Sequence, residues 1–226
     1  MFYTETVYKT ASEINSAMGR VYSQMCLAIL NSMIISFLVS SSPALMALLF
    51  TGFVKYIVMF APLVAVIALS FVLSSNIPKG LAILLLHGFA ALMGLSFSAI
   101  FVVYSMGSIF NAFMGAAVLF GVMSFYGYFT KTSLDSFGKF LFVGLIAIVI
   151  ASIINIFIGS SVATMVISAL AILIFLGLTA YDTQKIREMI SIENSGNAEI
   201  MGALTLYLDF INIFLNLLQL FGDRKE

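Results

Sequence analysis

Residues 200–221 read IMGALTLYLDFINIFLNLLQLF. As a helix this stretch is long enough to cross a bilayer, yet it carries a carboxylate, Asp209, near its middle. At about 100° per residue, the polar and small positions Gly202, Thr205, Asp209, Asn212, Asn216 and Gln219 gather within a sector of roughly 100°. Leu, Ile, Phe and Tyr fill the rest of the circumference. A charged side chain at mid-membrane costs about 2.5–3.5 kcal/mol even on the lenient insertion scale. The stripe is therefore predicted to face a bundle interior or a wet cavity. For the amides alone, interhelical hydrogen bonding is the simpler reading. Asp209 argues for function, because an acid at that depth is retained for a reason other than stability.

Composition sets the class. The chain has 226 residues, of which 62% are hydrophobic and 9% charged, and its mean hydropathy is +1.14. So few charges cannot cover a soluble domain of this size, so the sequence reads as a polytopic, all-α membrane protein whose first partner is the lipid bilayer. A net charge of zero argues against nucleic acid as a partner. The single cysteine, Cys26, and the single histidine, His87, make an internal disulfide, a zinc centre or a haem improbable. Cys26 is expected to be a small buried residue.

Seven segments are long enough to span: about 21–40, 54–75, 79–104, 109–129, 140–158, 162–185 and 200–221. Residues 1–20 are polar, lack the pattern of a signal peptide, and read as a tail, with an interfacial helix as the alternative; residues 223–226 form a second short tail. Residues 44–50 are too short to cross and are expected at the interface. Residues 130–138 and 184–199 read as polar loops, and 21–222 as one domain without internal repeats. On the third span His87, Ala91, Gly94, Ser98 and Ser105 share a mostly small face, which suits close helix packing better than metal binding. Asn155, near the end of the fifth span, is placed to satisfy a helix end. If all seven segments cross, one side holds Lys9, Arg20, Lys79, Lys131, Lys139, Lys185 and Arg187, and the other Lys55, Arg224 and Lys225. The basic side should be cytoplasmic, with the N-terminus. A re-entrant last segment would sharpen that bias, but 22 residues are enough to cross.

Asp182, near the end of the sixth span, and Asp209, inside the seventh, lie on consecutive segments and meet if those helices are neighbours. Two close carboxyls in a low-dielectric site hold one proton between them over an extended pH range. Such a pair serves as a proton-sensitive latch, a cation site or a catalytic dyad; alternatively Asp182 is an interfacial residue paired with Lys185. The dyad has a concrete comparison in the intramembrane aspartyl proteases. Tyr181-Asp182 matches their first motif, but Leu206-Tyr207-Leu208-Asp209 lacks both glycines of the second, and the proline motif that follows is missing. Hydrolysis is therefore a poor reading.

Residues 177–185 (GLTAYDTQK) and 202–212 (GALTLYLDFIN), with 124–131 (SFYGYFTK) and 155–157 (NIF), strongly resemble the bacterial inner-membrane branch of the Bax inhibitor-1 family. The resemblance covers about residues 15–222. It implies seven helices with the last one central and surrounded by the other six, and a pH-sensitive calcium leak without a cofactor, calcium being the transported ion. It also implies that Asp182 and Asp209 form a hydrogen-bonded pair acting as pH sensor, gate and transient calcium ligands. Thr205, Asn212, Asn216 and Gln219 are then the pore-lining candidates. Some family members lock the acidic pair with an arginine from the second helix. Here that region reads Ser74-Ser75-Asn76-Ile77-Pro78-Lys79, so only Asn76 and Lys79, with Asn155, are left as gate support. The competing expectation is a non-conducting regulator that grips a membrane partner such as a membrane-bound AAA protease, with residues 1–20 as the handle.

Overall fold

A computed structural model describes residues 9–75, 77–192 and 197–225. Among these it contains eight helices and no extended strand: α1 (Ala11–Ser40), α2 (Pro43–Phe50), α3 (Val54–Ser74), α4 (Lys79–Val103), α5 (Met106–Phe129), α6 (Asp135–Ile158), α7 (Ser161–Ser191) and α8 (Ala198–Phe221). Seven are long and apolar enough to cross a membrane, and α2 is the short segment between the first two. Asn76 lies outside the described residues.

Three boundaries differ from the sequence expectation. α1 begins ten residues before the apolar run, because Thr10 and Glu13 form a reciprocal capping box. Ala17, Val21, Met25 and Ala28 then continue one buried face up the helix. α6 starts at Asp135, inside the expected loop, with Ser133 bonded to Asp135 in its first turn. α7 runs on to Ser191 rather than ending near residue 185. Ile186 and Ile190 explain the extension: four residues apart, both are fully buried, so the polar-looking stretch has a core-facing side. Cys26 is exposed, not buried; it lies on the outward side of α1.

Contacts divide the chain into two compact units. The first holds α1–α4 and residues Glu188–Tyr207; the second holds Tyr104–Arg187 and Leu208–Arg224. In the first unit α1 packs closely on α4. A side chain at Gly94 would begin 2.7 Å from the Ser32 carbonyl oxygen and 2.9 Å from Ile35 Cβ, so the small face expected on the third span is a packing face there. His87 belongs to that contact, with Nε2 3.2 Å from Gln24 Oε1 and its backbone carbonyl accepting from Asn31 Nδ2 at 2.8 Å. Tyr207 is fully buried, with its hydroxyl 2.7 Å from Ser32 Oγ and its ring edge-on to Phe89.

In the second unit Phe113 and Phe120 pack edge-to-face on Phe210 at centroid distances of 5.4 and 5.9 Å, and Phe113 also meets Phe214. These rings fasten the apolar side of α8 to α5. The turn between α6 and α7 closes on Gly159, whose φ of +69° puts it in the left-handed region that ends helices. After α8 the chain is pinned again, the Asp223 N–H donating to Ser108 Oγ at 2.9 Å.

α8 is the most buried span, 61% of its apolar window against 6–39% for the other six. It supplies core residues to each unit: Ile200, Leu204, Leu206 and Tyr207 to the first, Phe210, Ile213 and Leu218 to the second. It is one unbroken helix of 24 residues, about 36 Å long. A re-entrant loop would instead need two half-helices meeting at a turn.

Candidate functional site

Asp182 and Asp209 both belong to the second unit, and their carboxyl groups hydrogen-bond to each other. Asp209 is only 4% exposed. Its Oδ2 is fully buried and meets no hydrogen-bond donor among the described residues. Two ionised carboxylates are acceptors only, so a hydrogen bond between them requires a proton on one of them. With that proton the two carboxyls are joined, and without it the buried pair is left with acceptors alone, at a cost of about 1–3 kcal/mol or more. No lysine or arginine makes an ion pair with either acid among the described residues.

The residues around Asp182 are tied down one after another. Gly127 of α5 lies so close to the Ala180 backbone that a Cβ there would overlap its carbonyl. Gly138 of α6 packs flat against the Tyr181 ring, leaving no room for a side chain. Thr183 Oγ1 and Ser124 Oγ share a buried hydrogen bond of 3.0 Å. The Gln184 side chain accepts from the Leu134 N–H at 2.8 Å and donates to the Thr132 carbonyl at 3.0 Å. The neighbours of Asp182 thus serve as fixed points, and the acid itself meets Asp209 of α8.

Thr205, Asn212 and Asn216 of the α8 stripe donate within their own helix rather than across to a neighbour. Thr205 Oγ1 donates to the Met201 carbonyl at 3.1 Å, Asn212 Nδ2 to Leu208 at 2.8 Å, and Asn216 Nδ2 to Asn212 at 2.8 Å. All three are bonds within the same helix, so these donors are spent on α8's own backbone. Asn212, Asn216 and Gln219 instead line a cavity of about 310 Å³ between α6, α7 and α8, faced by Ser152, Thr164 and Ser168. Thr205 is not among its lining residues. The lining sets these hydroxyl and amide groups against an apolar majority from α6 and α7, such as Leu145, Ile148 and Ile167, and carries no formal charge. Among the described residues no cluster of three or more His, Cys, Asp or Glu side chains is arranged to hold a metal ion.

The remaining candidates stand elsewhere. Asn155 caps the α6–α7 turn, donating to the Ser160 carbonyl at 3.2 Å and to Thr164 Oγ1 at 2.7 Å, and accepting from the Ser160 N–H. Lys79 lies in the first unit, its Nζ 2.7 Å from Glu199 Oε2. Arg20 grips the same carboxylate with Nη2 at 2.6 Å and Nε at 3.0 Å, so α1, α4 and the start of α8 meet at one charge cluster. Asn197 adds bonds to the Ser75 and Ile77 carbonyls at 3.3 and 3.1 Å. Ser152, Thr164 and Ser168 are cavity residues that the sequence reading passed over. On a helical wheel Thr164 and Ser168 fall on the same face as Asp182, which is the signal that would have found them.

A family model described as "Inhibitor of apoptosis-promoting Bax1" matches residues 14–226. Inner membrane protein YbhL of Escherichia coli (strain K12) is 39% identical, the match covering 98% of this chain and 97% of that protein. Uncharacterized protein RP147 of Rickettsia prowazekii is 39% identical over 99% of both chains. An uncharacterized protein of Deinococcus radiodurans is 36% identical over 97% of this chain and 95% of its own.

Proposed function

The chain belongs to the Bax inhibitor-1 family of membrane proteins, and from that membership we propose that it is a pH-sensitive cation leak of the bacterial inner membrane, with calcium as the ion, the Asp182–Asp209 pair as the gate and the N-terminus in the cytoplasm. The observation that carries the reading is the buried Asp209 Oδ2, which finds no donor and whose hydrogen-bonding neighbour is another acid. A proton held between the two closes the site. When it leaves, two like charges about 4 Å apart at an effective dielectric of about 20 repel by about 4 kcal/mol. That energy shifts a two-state equilibrium by roughly a thousandfold, enough to move a gate. High pH therefore opens the path and low pH closes it.

The neutral oxygens of the cavity fit transit rather than storage. Calcium prefers six to eight oxygen ligands, and hydroxyls and amides on three helices, with only two acids nearby, hold it weakly enough to release it. The test is calcium influx into proteoliposomes between about pH 6 and 8, for wild type and Asp209→Asn. An asparagine donates permanently to Asp182, so the variant should give a low flux that no longer follows pH. An unchanged pH-dependent flux in the variant refutes the gate. No wild-type flux above empty liposomes refutes conduction and favours a regulator that binds a membrane partner.

A further inference from the structure

The acidic pair and the cavity lie on the same two helices, but neither acid is among the residues that line the cavity. At about 100° per residue, Thr164, Ser168, Ala171, Phe175, Thr179 and Asp182 fall within roughly 80° on α7. Five of the six are small or polar, and the exception is Phe175. Phe175 is the last α7 residue of the cavity lining on the side of Asp182 and is itself buried. Beyond it toward Asp182 stands Thr179, completely buried, with its hydroxyl turned back onto the Phe175 carbonyl at 2.7 Å. On α8 the cavity reaches Asn212, one turn from Asp209. Water or a hydrated ion entering the cavity thus meets an aromatic ring before it meets an acid.

We infer that Phe175 is a hydrophobic seal separating a hydrated vestibule, lined by Ser168, Asn212, Asn216 and Gln219, from the Asp182–Asp209 pair. The inference deepens the leak reading and rests on it for its physiological meaning, but the seal is a property of the fold that can be tested without conduction. The vestibule has room for on the order of ten waters, and a cation there keeps part of its shell while neutral oxygens replace the rest. An apolar ring at its end stops such an ion by dewetting. Phe175 and Asp182 share one face of one helix, two turns apart, so a movement of α7 that separates the acids also withdraws the ring.

The experiment places single cysteines in a Cys26→Ser background, with the full chain in lipid nanodiscs, and measures their reaction with a charged, membrane-impermeant methanethiosulfonate. Asn216→Cys, a half-buried position inside the vestibule, should react readily. Thr179→Cys, behind the ring and completely buried, should be protected, and combining it with Phe175→Ala should abolish that protection and bring its rate close to that of Asn216→Cys. Phe175→Leu should retain the protection, showing that apolar bulk makes the seal. Phe175→Val is the second opening variant if Phe175→Ala is not recovered folded, with Asn216→Cys labelling as the check on the cavity. The inference is overturned if Asn216→Cys is unreactive, or if Thr179→Cys reacts equally with and without the ring. If the labelling follows this pattern while wild-type liposomes carry no calcium, the seal stands and the leak reading alone falls.

Discussion

Gly127→Ala should damage both the stability of the protein and the geometry of its acidic pair. A Cβ built on Gly127 comes 2.8 Å from the carbonyl carbon and Cα of Ala180, and closer still to the carbonyl oxygen. Carbon atoms are comfortable at about 3.5–4.0 Å, so α5 and α7 must part by about 0.7 Å or more. The obstacle is backbone, which cannot swing aside as a side chain would. The cost belongs at the upper end of the overpacking range, about 3 kcal/mol, or roughly a hundredfold in the unfolding equilibrium. Asp182 lies two residues beyond Ala180, so the same displacement stretches a carboxyl–carboxyl hydrogen bond past the roughly 3.0 Å limit of a good O–H···O contact. Gly121→Ala is the matched control: it lies on the same helix, and an added Cβ there meets nothing within 4 Å. That change should be neutral, or stabilising by up to about 1 kcal/mol through helix propensity. Equilibrium unfolding in detergent micelles separates the two. The reasoning is refuted if both alanines shift stability in the same direction by similar amounts.

Three further outcomes follow from the first unit and from the pair itself. Glu199→Gln removes the carboxylate held by Arg20 and Lys79, whose side chains are about half exposed; screening limits the loss to about 1 kcal/mol, and raising salt from about 0.1 to 1 M should narrow the gap to wild type. Tyr207→Phe deletes the hydroxyl beside Ser32 while keeping the ring against Phe89, so it should cost about 0.6 kcal/mol and no more than about 1.7. Tyr207→Ala should cost about 3–5 kcal/mol by leaving a cavity, and unfolding curves for the two variants check the split. Asp182→Asn should remove the pH dependence of calcium flux as Asp209→Asn does, since either amide supplies the donor that the pair otherwise takes from a proton.

Much of this was legible in the sequence. The seven spans follow from the length of the apolar runs, because a bilayer imposes a nearly fixed thickness. The polar sector of 200–221 follows from helical periodicity, and three of its members, Asn212, Asn216 and Gln219, line the cavity. What escaped was local or non-periodic. The α1 start depended on a capping box in a polar stretch, Thr10 to Glu13, which hydropathy reads as tail. The extension of α7 depended on two isoleucines embedded among charges. Thr205 lies on the polar sector but satisfies itself on Met201, since a wheel gives direction and not depth. The partner of Lys79 was beyond reach for a different reason: nothing in the spacing of residues 20, 79 and 199 says that three distant segments converge on one carboxylate.

The central claim is that Asp182 and Asp209 hold one proton between them and release it as pH rises. Infrared difference spectroscopy of the carboxyl C=O stretch, on the full chain in lipid between about pH 6 and 8, tests it most directly. The expected result is one protonated-carboxyl band that disappears on alkalinisation in wild type and is missing at every pH in Asp209→Asn. A wild-type protein with no such band across the range, or a band that persists unchanged in both Asp209→Asn and Asp182→Asn, would contradict the account.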